Sequence, residues 1–168
     1  TGKRMSQVVA EESGSGGLAT RICVLSGPNL SREIAQGLPA TAVAASSDRE
    51  TALQVQRLLM SPVFRVYTSD DVVGVEMGGA LKNIIALGAG MCDGLHYGDN
   101  AKAAFMTRGL AEITRLGVAL GANPLTFAGL AGLGDLVATC SSPLSRNHQV
   151  GLDLAKGKRL DGVLSSLH

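Results

Sequence analysis

The sequence predicts two fold regimes in succession: an α/β segment built on a parallel sheet over residues 1–70, then an all-helical segment over residues 71–168, with the boundary near Asp70. Two patterns predict this. Up to residue 70, short apolar runs alternate with helical stretches in the order β-α-β-α-β, the order that builds a parallel sheet with crossover helices. Beyond Ser69 no strand-like run recurs, and apolar residues return at helical spacing between caps and glycine stops.

Residues 22–25 form a short apolar run that stops at Ser26-Gly27-Pro28 and reads as a buried strand followed by a turn. Residues 31–36 read as a short helix ended by Gly37, and residues 40–45 as an Ala-rich second strand. Asp48 can cap a helix over 49–60, with Ala52, Val55, Leu58 and Leu59 on its inner side and Pro62 ending it. Residues 64–68 alternate and read as the third strand.

Residues 71–94 then read as one long helix rich in small side chains: Gly74, Gly78, Gly79, Ala80, Ala86, Gly88 and Ala89. Glycine costs a helix about 1 kcal/mol relative to alanine, so 22 glycines in a largely helical chain imply close backbone approach somewhere. Asp99 or Asn100 caps the next helix, which runs to Leu120. Its expected inner stripe is Met106, Ile113, Leu116 and Leu120, with Arg108, Glu112 and Arg115 on an outer face, and Gly121 stops it. Asn123-Pro124 starts a further helix with Pro at its first position, residues 134–140 add a helical turn or two, and Ser145 caps a last helix ending near Gly157.

Composition narrows the function classes. Hydrophobic residues make up 45% and charged residues 17%, so the chain buries a core and is not disordered. The net charge is +1 with no basic run, which gives no reason to expect a nucleic-acid or membrane-surface partner. Cys23, Cys92 and Cys140 are few, odd in number and far apart, so a reduced, cytoplasmic setting is expected. His96, His148 and His168 have no ligand spacing, and no metal is expected. No apolar run approaches the ~20 residues of a membrane span, and no signal peptide is recognisable. The chain starts without Met and stops without a clear final element, so it reads as a piece of a longer protein.

Several motifs carry chemistry, each beside a plainer role. Gly14-Ser15-Gly16-Gly17-Leu18-Ala19 fits the dinucleotide pattern G-x-G-x-x-A, but a polar stretch precedes it and a strand follows. The pattern works only when a strand leads into it and a helix leaves it, so a loop is the better reading. Gly27-Pro28-Asn29 lies past a strand's carboxyl end, where such sheets bind ligands; Asn29 can meet a hydroxyl there or simply cap the next helix.

Lys82 stands mid-helix among small apolar neighbours. Desolvation there would favour its neutral form and make it a general acid/base, or the side chain can snorkel to solvent. Asp135 and Thr139, four apart, share a helix face that could orient a polyol or hold a lysine; Asp135 also suits a helix N-terminus. Ser145-Arg146-Asn147 opens a helix, which offers free N–H groups and a forked guanidinium to a phosphate, or an ordinary cap.

These residues together resemble glycerol-3-phosphate dehydrogenases. Gly74-Val75-Glu76-Met77-Gly78-Gly79-Ala80-Leu81-Lys82-Asn83 is similar to the GVELGGALKN segment of that family. Cys92-Asp93-Gly94, Gly98-Asp99-Asn100-Ala101-Lys102, Thr107-Arg108-Gly109-Leu110-Ala111-Glu112, Gly132-Leu133-Gly134-Asp135 and Ser145-Arg146-Asn147 follow in the family's order, with Ser26-Gly27-Pro28-Asn29 upstream.

The resemblance implies an oxidoreductase that interconverts dihydroxyacetone phosphate and sn-glycerol 3-phosphate with NAD or NADP, feeding glycerophospholipid synthesis. It implies the C-terminal portion of a Rossmann-like nucleotide-binding domain over 1–70 and a helical substrate domain over 71–168. By the same resemblance Lys82 carries the proton at the substrate's C2 oxygen and Asp135 places and tunes it. Gly27, Asn29 and Ser145 contact substrate, Arg146 and Asn147 take its phosphate, and Thr139 joins the pocket. Ser31 and Arg146 approach the cofactor.

The family's glycine fingerprint and a second active-site lysine belong upstream of Thr1, and a cofactor-contacting glutamate belongs beyond His168, so the fragment alone is expected to be inactive. Asn29 stands where many bacterial members carry Ser. A homodimer is the expected assembly, and the other motifs have a bacterial style. Two other readings stay open: a catalytically silent helical binding or oligomerisation module, and a related 3-hydroxyacid dehydrogenase.

Overall fold

The structure is a computed structural model that describes residues 2–13 and 21–165. The loop assigned to residues 14–19 and His168 lie outside the described residues. Helix α1 (Met5–Glu12) opens the fold, was not anticipated, and buries none of its residues. Polar contacts hold it instead: Glu76 accepts from Arg4 Nη1 at 2.5 Å, Ser6 N at 2.7 Å and Ser6 Oγ at 2.6 Å.

The α/β segment follows as β1 (Val24–Ser26), α2 (Ser31–Ala35), β2 (Ala40–Ala45), α3 (Arg49–Leu59) and β3 (Phe64–Ser69), with sheet order β1-β2-β3. Strands β2 and β3 run parallel in a register that sets Ala40 opposite Phe64 and Ala45 opposite Ser69, with α3 as the crossover. Strand β1 departs from the expected parallel grammar: it pairs antiparallel to β2, Val24 opposite Ala45, so the sheet is mixed. Helix length accounts for the difference. The 11 residues of α3 rise about 16 Å and can carry the chain back along a strand, whereas the five of α2 rise only about 8 Å. Gly37, at φ +74°, turns the chain directly into β2.

Ala42, Ala44 and Ala45 are fully buried, Ala42 and Ala44 on one face of β2 and Ala45 on the face toward α4. Ala45 meets Val75 and Ala131 there, flanked by Val24, Val43 and Val72. On α3 the face toward the sheet is Ala52, Val55 and Gln56, whose Nε2 donates to the Val66 carbonyl at 2.8 Å. Leu58, expected inside, is 82% exposed because it falls off that spacing, and Leu59 at the helix end is also exposed.

Helix α4 (Val72–Gly94) is the centre of the molecule. Asp71 caps it, accepting from Gly74 N at 2.8 Å, and also receives Asn123 N and Thr126 Oγ1. By length and composition α4 is apolar enough to cross a membrane, contrary to the expectation that no run approaches that length. In this fold α5, α7 and α8 pack around it, and its Glu76, Lys82 and Asp93 are all ion-paired to other elements.

Helix α5 (Gly98–Ala119) begins after Tyr97, so Asp99 sits in its first turn rather than at the cap. Its buried line is Gly109, Ile113 and Gly117, backed by Met106 and Leu110, while Leu116 and Leu120 are exposed. Gly109 admits Ile85 and Gly117 admits Phe127, so two of the three buried positions carry no side chain and leave no bulky stripe in the sequence. Arg108, Glu112 and Arg115 pair on the outer face as expected.

The remaining elements are α6 (Pro124–Ala128), a π-helical turn at Leu130–Gly134, α7 (Asp135–Ser141), α8 (Arg146–Ala155) and α9 (Leu160–Ser165). Neither the π-turn nor α9, which packs on α8 through buried Val163, was anticipated. The close approach that the glycines implied is most evident between α4 and α8. A Cβ at Gly90 would strike the His148 carbonyl, and one at Gly151 would strike the Leu87 carbonyl.

Candidate active site

Lys82 reaches from the middle of α4 to the first residue of α7, where its Nζ donates to Asp135 Oδ1. Two glycines one turn earlier make the approach possible. A Cβ at Gly78 would meet the Ala131 carbonyl, so the π-turn rests directly on the backbone of α4. A Cβ at Gly79 would lie 2.6 Å from Ser26 Oγ, which brings the end of β1 to the same place. The π-turn widens the helix just before Asp135 and aims its carboxylate at Lys82; such bulges are frequent at functional sites.

Asp135 is 2% exposed, and Thr139 Oγ1 donates to the same carboxylate at 3.2 Å. Burial holds the Asp135 carboxyl above the usual carboxylate range, although Lys82, Thr139 and Ser26 oppose the shift. The Lys82 side chain stays 19% exposed. Beside this pair, burial pushes the Cys140 thiol up to about 11, which keeps it protonated and inert.

The pair stands where two clefts meet. One, of about 1100 Å³, is lined by Ser26, Gly27, Asn29, Gly79 and α1. The other, of about 590 Å³, is lined by Asn29, Ser31, Thr139, Ser145, Arg146 and Asn147, and both clefts share Lys82 and Asp135. Gly27, Asn29, Ser31, Lys82, Asp135, Thr139, Ser145, Arg146 and Asn147 therefore each line one or both of these clefts. Gly27 earns its identity there: at φ +147° its backbone lies against β2, with a Cβ only 2.9 Å from the Thr41 carbonyl. Asn29 donates its amide to that carbonyl at 3.1 Å, leaving its oxygen as an acceptor.

The start of α8 forms the far wall of the smaller cleft. Ser145 caps it, its Oγ accepting from His148 N at 3.3 Å, and the Ser145 carbonyl accepts from Gln149 N. The amides of Arg146 and Asn147 have no partner among the described residues. The exposed Arg146 guanidinium likewise has no ion-pair partner there. Two free N–H groups, a helix N-terminus and an uncommitted guanidinium are an arrangement that binds oxyanions.

Asn147 turns its side chain the other way, donating Nδ2 to Asn83 Oδ1 at 2.8 Å. Asn83 was missed as a site residue. Its position directly after Lys82 was the available signal, but its role depends on a partner 64 residues away. Arg32, also on the smaller cleft, gave no signal beyond its charge. Among the described residues no group of three or more His, Cys, Asp or Glu could hold a metal ion.

Comparison with known proteins points one way. Residues 71–168 match the family model described as NAD-dependent glycerol-3-phosphate dehydrogenase C-terminus, and residues 1–52 match the corresponding N-terminus. The chain is 59% identical over 167 residues to a glycerol-3-phosphate dehydrogenase, NAD(P)+, of Dehalococcoides mccartyi, covering 99% of this chain and 46% of that protein. It is 59% identical to the protein of the same name from Moorella thermoacetica, covering 99% and 48%. A crystal structure of glycerol-3-phosphate dehydrogenase from Coxiella burnetii superposes with a TM-score of 0.89 at 41% identity, covering 96% of this chain and 48% of that one. The chain thus spans about half the length of the relatives it matches.

Proposed function

The chain belongs to the NAD-dependent glycerol-3-phosphate dehydrogenase family, and on that premise we propose that it supplies the proton-transfer and phosphate-binding half of an enzyme interconverting dihydroxyacetone phosphate and sn-glycerol 3-phosphate. The observation that carries this reading is the Lys82–Asp135 ion pair, set at the junction of two clefts and sharing the smaller one with the uncommitted Arg146. A proton donor and an anion receptor lining one space suit a small phosphorylated ketone.

NAD(P)H, when bound, supplies the hydride that attacks C2 of the ketone. The residues here fit that group: the larger cleft opens at the carboxyl end of β1 and is roomy enough for a nicotinamide ring, with Ser31 and Arg146 as its contacts from the smaller one. Lys82 Nζ gives its proton to the C2 oxygen as negative charge develops there, and takes it back in the reverse direction. Asp135 holds the ammonium on target, and Thr139 fixes the carboxylate. Arg146, Ser145 and the free backbone amides of Arg146 and Asn147 hold the phosphate, the Asn147 side chain being committed to Asn83, while Gly27 and Asn29 line the site on the side of the carbon chain.

The same reading puts a domain boundary near Asp70, in keeping with the family match that begins at residue 71 and with Asp71 capping α4. It includes a cytoplasmic setting, supported by three free cysteines, and a homodimer, supported by the apolar Leu116, Val118 and Leu120 exposed along and after α5. It also includes a role in supplying glycerophospholipid synthesis. The test is oxidation of NADH or NADPH by the intact enzyme with dihydroxyacetone phosphate. Turnover should require the phosphate. Equal rates with unphosphorylated dihydroxyacetone, or none with either, would overturn the reading.

A further inference from the structure

Behind the phosphate-binding end of α8 lies a second polar cluster that takes no part in the proposed chemistry. Asp93, in the last turn of α4, accepts from Lys102 Nζ on α5 at 2.9 and 3.0 Å through its two oxygens, and pairs with His148 Nε2 on α8 at 2.7 Å. His148 is 7% exposed, and its Nδ1 has no partner. That assigns the proton to Nε2, donating to the carboxylate, and leaves the bare lone pair on Nδ1, the less costly atom to bury. Burial alone would raise the Asp93 carboxyl, but the donors from Lys102 and His148 outweigh it and leave it below the usual range.

His148 is also the residue whose amide Ser145 caps, so one residue joins the cap of α8 to the cluster. Its carbonyl rests on Gly90, where no side chain could fit. Asn147, one residue earlier, is clipped to Asn83. Helix α8 is therefore fixed on α4 at two polar points with a glycine contact between them, the two anchors about 15 Å apart along α4. Two anchors fix both the rotation of α8 and its height, and the rotation decides where the Arg146 and Asn147 amides and the guanidinium point.

We propose that the Asp93–Lys102–His148 cluster positions the anion-binding end of α8 and so sets the affinity for the phosphate group, with His148 as the positioning residue. The proposal rests on the phosphate reading above. It predicts a split that a purely structural role does not give. In His148→Leu, which keeps the volume and removes the donor, the KM for dihydroxyacetone phosphate and the inhibition constant of inorganic phosphate should rise together by about tenfold or more. The kcat should stay near its starting value. His148→Gln, which can still donate to Asp93, should recover most of the loss.

The experiment measures these constants in the intact enzyme, with calorimetric titration of inorganic phosphate beside them. Lys102→Met frees Asp93 from α5 and tests the cluster independently should the leucine variant not fold. The proposal is overturned if phosphate affinity is unchanged in both variants, if kcat falls in step with the rise in the KM for dihydroxyacetone phosphate, or if glutamine recovers nothing. Absence of phosphate-dependent turnover in the unsubstituted enzyme would instead sink the functional reading, and the calorimetric comparison would still decide the positioning claim.

Discussion

Lys82 and Asp135, 53 residues apart in the chain, close an ion pair whose two members differ sharply in exposure: the lysine side chain retains 19% and the aspartate 3%. The lysine is the member that a substrate can reach, and the aspartate is the member the fold pays to bury. Four residues later, Thr139 completes the carboxylate's shell from inside.

The burial of Asp135 has a consequence for stability. Its carboxyl is raised in the folded state, chiefly by burial. A raised folded value gives stability that is fully present below the unfolded carboxyl's range and is lost as pH rises through the folded value. At neutral pH the ionised group is thus a stability cost. Asp135→Asn, which still accepts from Lys82, should leave the thermal midpoint at pH 7 unchanged or higher while turnover falls steeply. A drop of more than about 5 °C, on the order of 1 kcal/mol, would show instead that the charge is structural.

Arg146 touches no other described side chain through an ion pair, so its replacement should cost the fold nothing. Arg146→Gln removes charge-assisted hydrogen bonds worth about 1.5–3 kcal/mol, so the KM for dihydroxyacetone phosphate should rise roughly ten- to a hundredfold. The melting temperature should not move. Unchanged KM would remove Arg146 from the phosphate site.

Gly78 is the position where the π-turn meets α4. Gly78→Ala drives a methyl group into the Ala131 carbonyl and displaces Asp135 from Lys82. Overpacking of this kind costs about 1–3 kcal/mol, so both melting temperature and kcat should fall. An alanine variant with normal kcat would mean that the π-turn does not set the ion-pair geometry.

Local signals in the sequence were read well. Asp48, Asn123 and Ser145 cap the helices assigned to them, because a cap is written within a few residues, although Asp99 and Asn100 fall inside α5 rather than at its cap. Strand β2 was legible at its full length, and the parallel pairing with β3 followed from the β-α-β order. What was not legible depends on partners far along the chain. Helix α1 is held by Glu76 some 70 residues away, β1 reverses because α2 is too short, and two of the three buried positions of α5 are glycines. In the candidate site, Lys82, Asp135 and Ser145-Arg146-Asn147 stood out by residue type and motif. Asn83 and His148 did not, since an asparagine in an apolar helix and a lone histidine acquire meaning only when α8 is laid on α4.

The central claim is that Lys82 carries the proton at C2, and Lys82→Ala tests it most directly. The measurement is kcat for dihydroxyacetone phosphate with saturating NADH in the intact enzyme, with and without an added small alkylamine. Proton transfer by a placed side chain contributes about 10²- to 10⁴-fold. The account predicts a fall of that size, with inorganic phosphate still binding at α8 and partial recovery on adding the amine. Near-normal turnover in the alanine variant would contradict it.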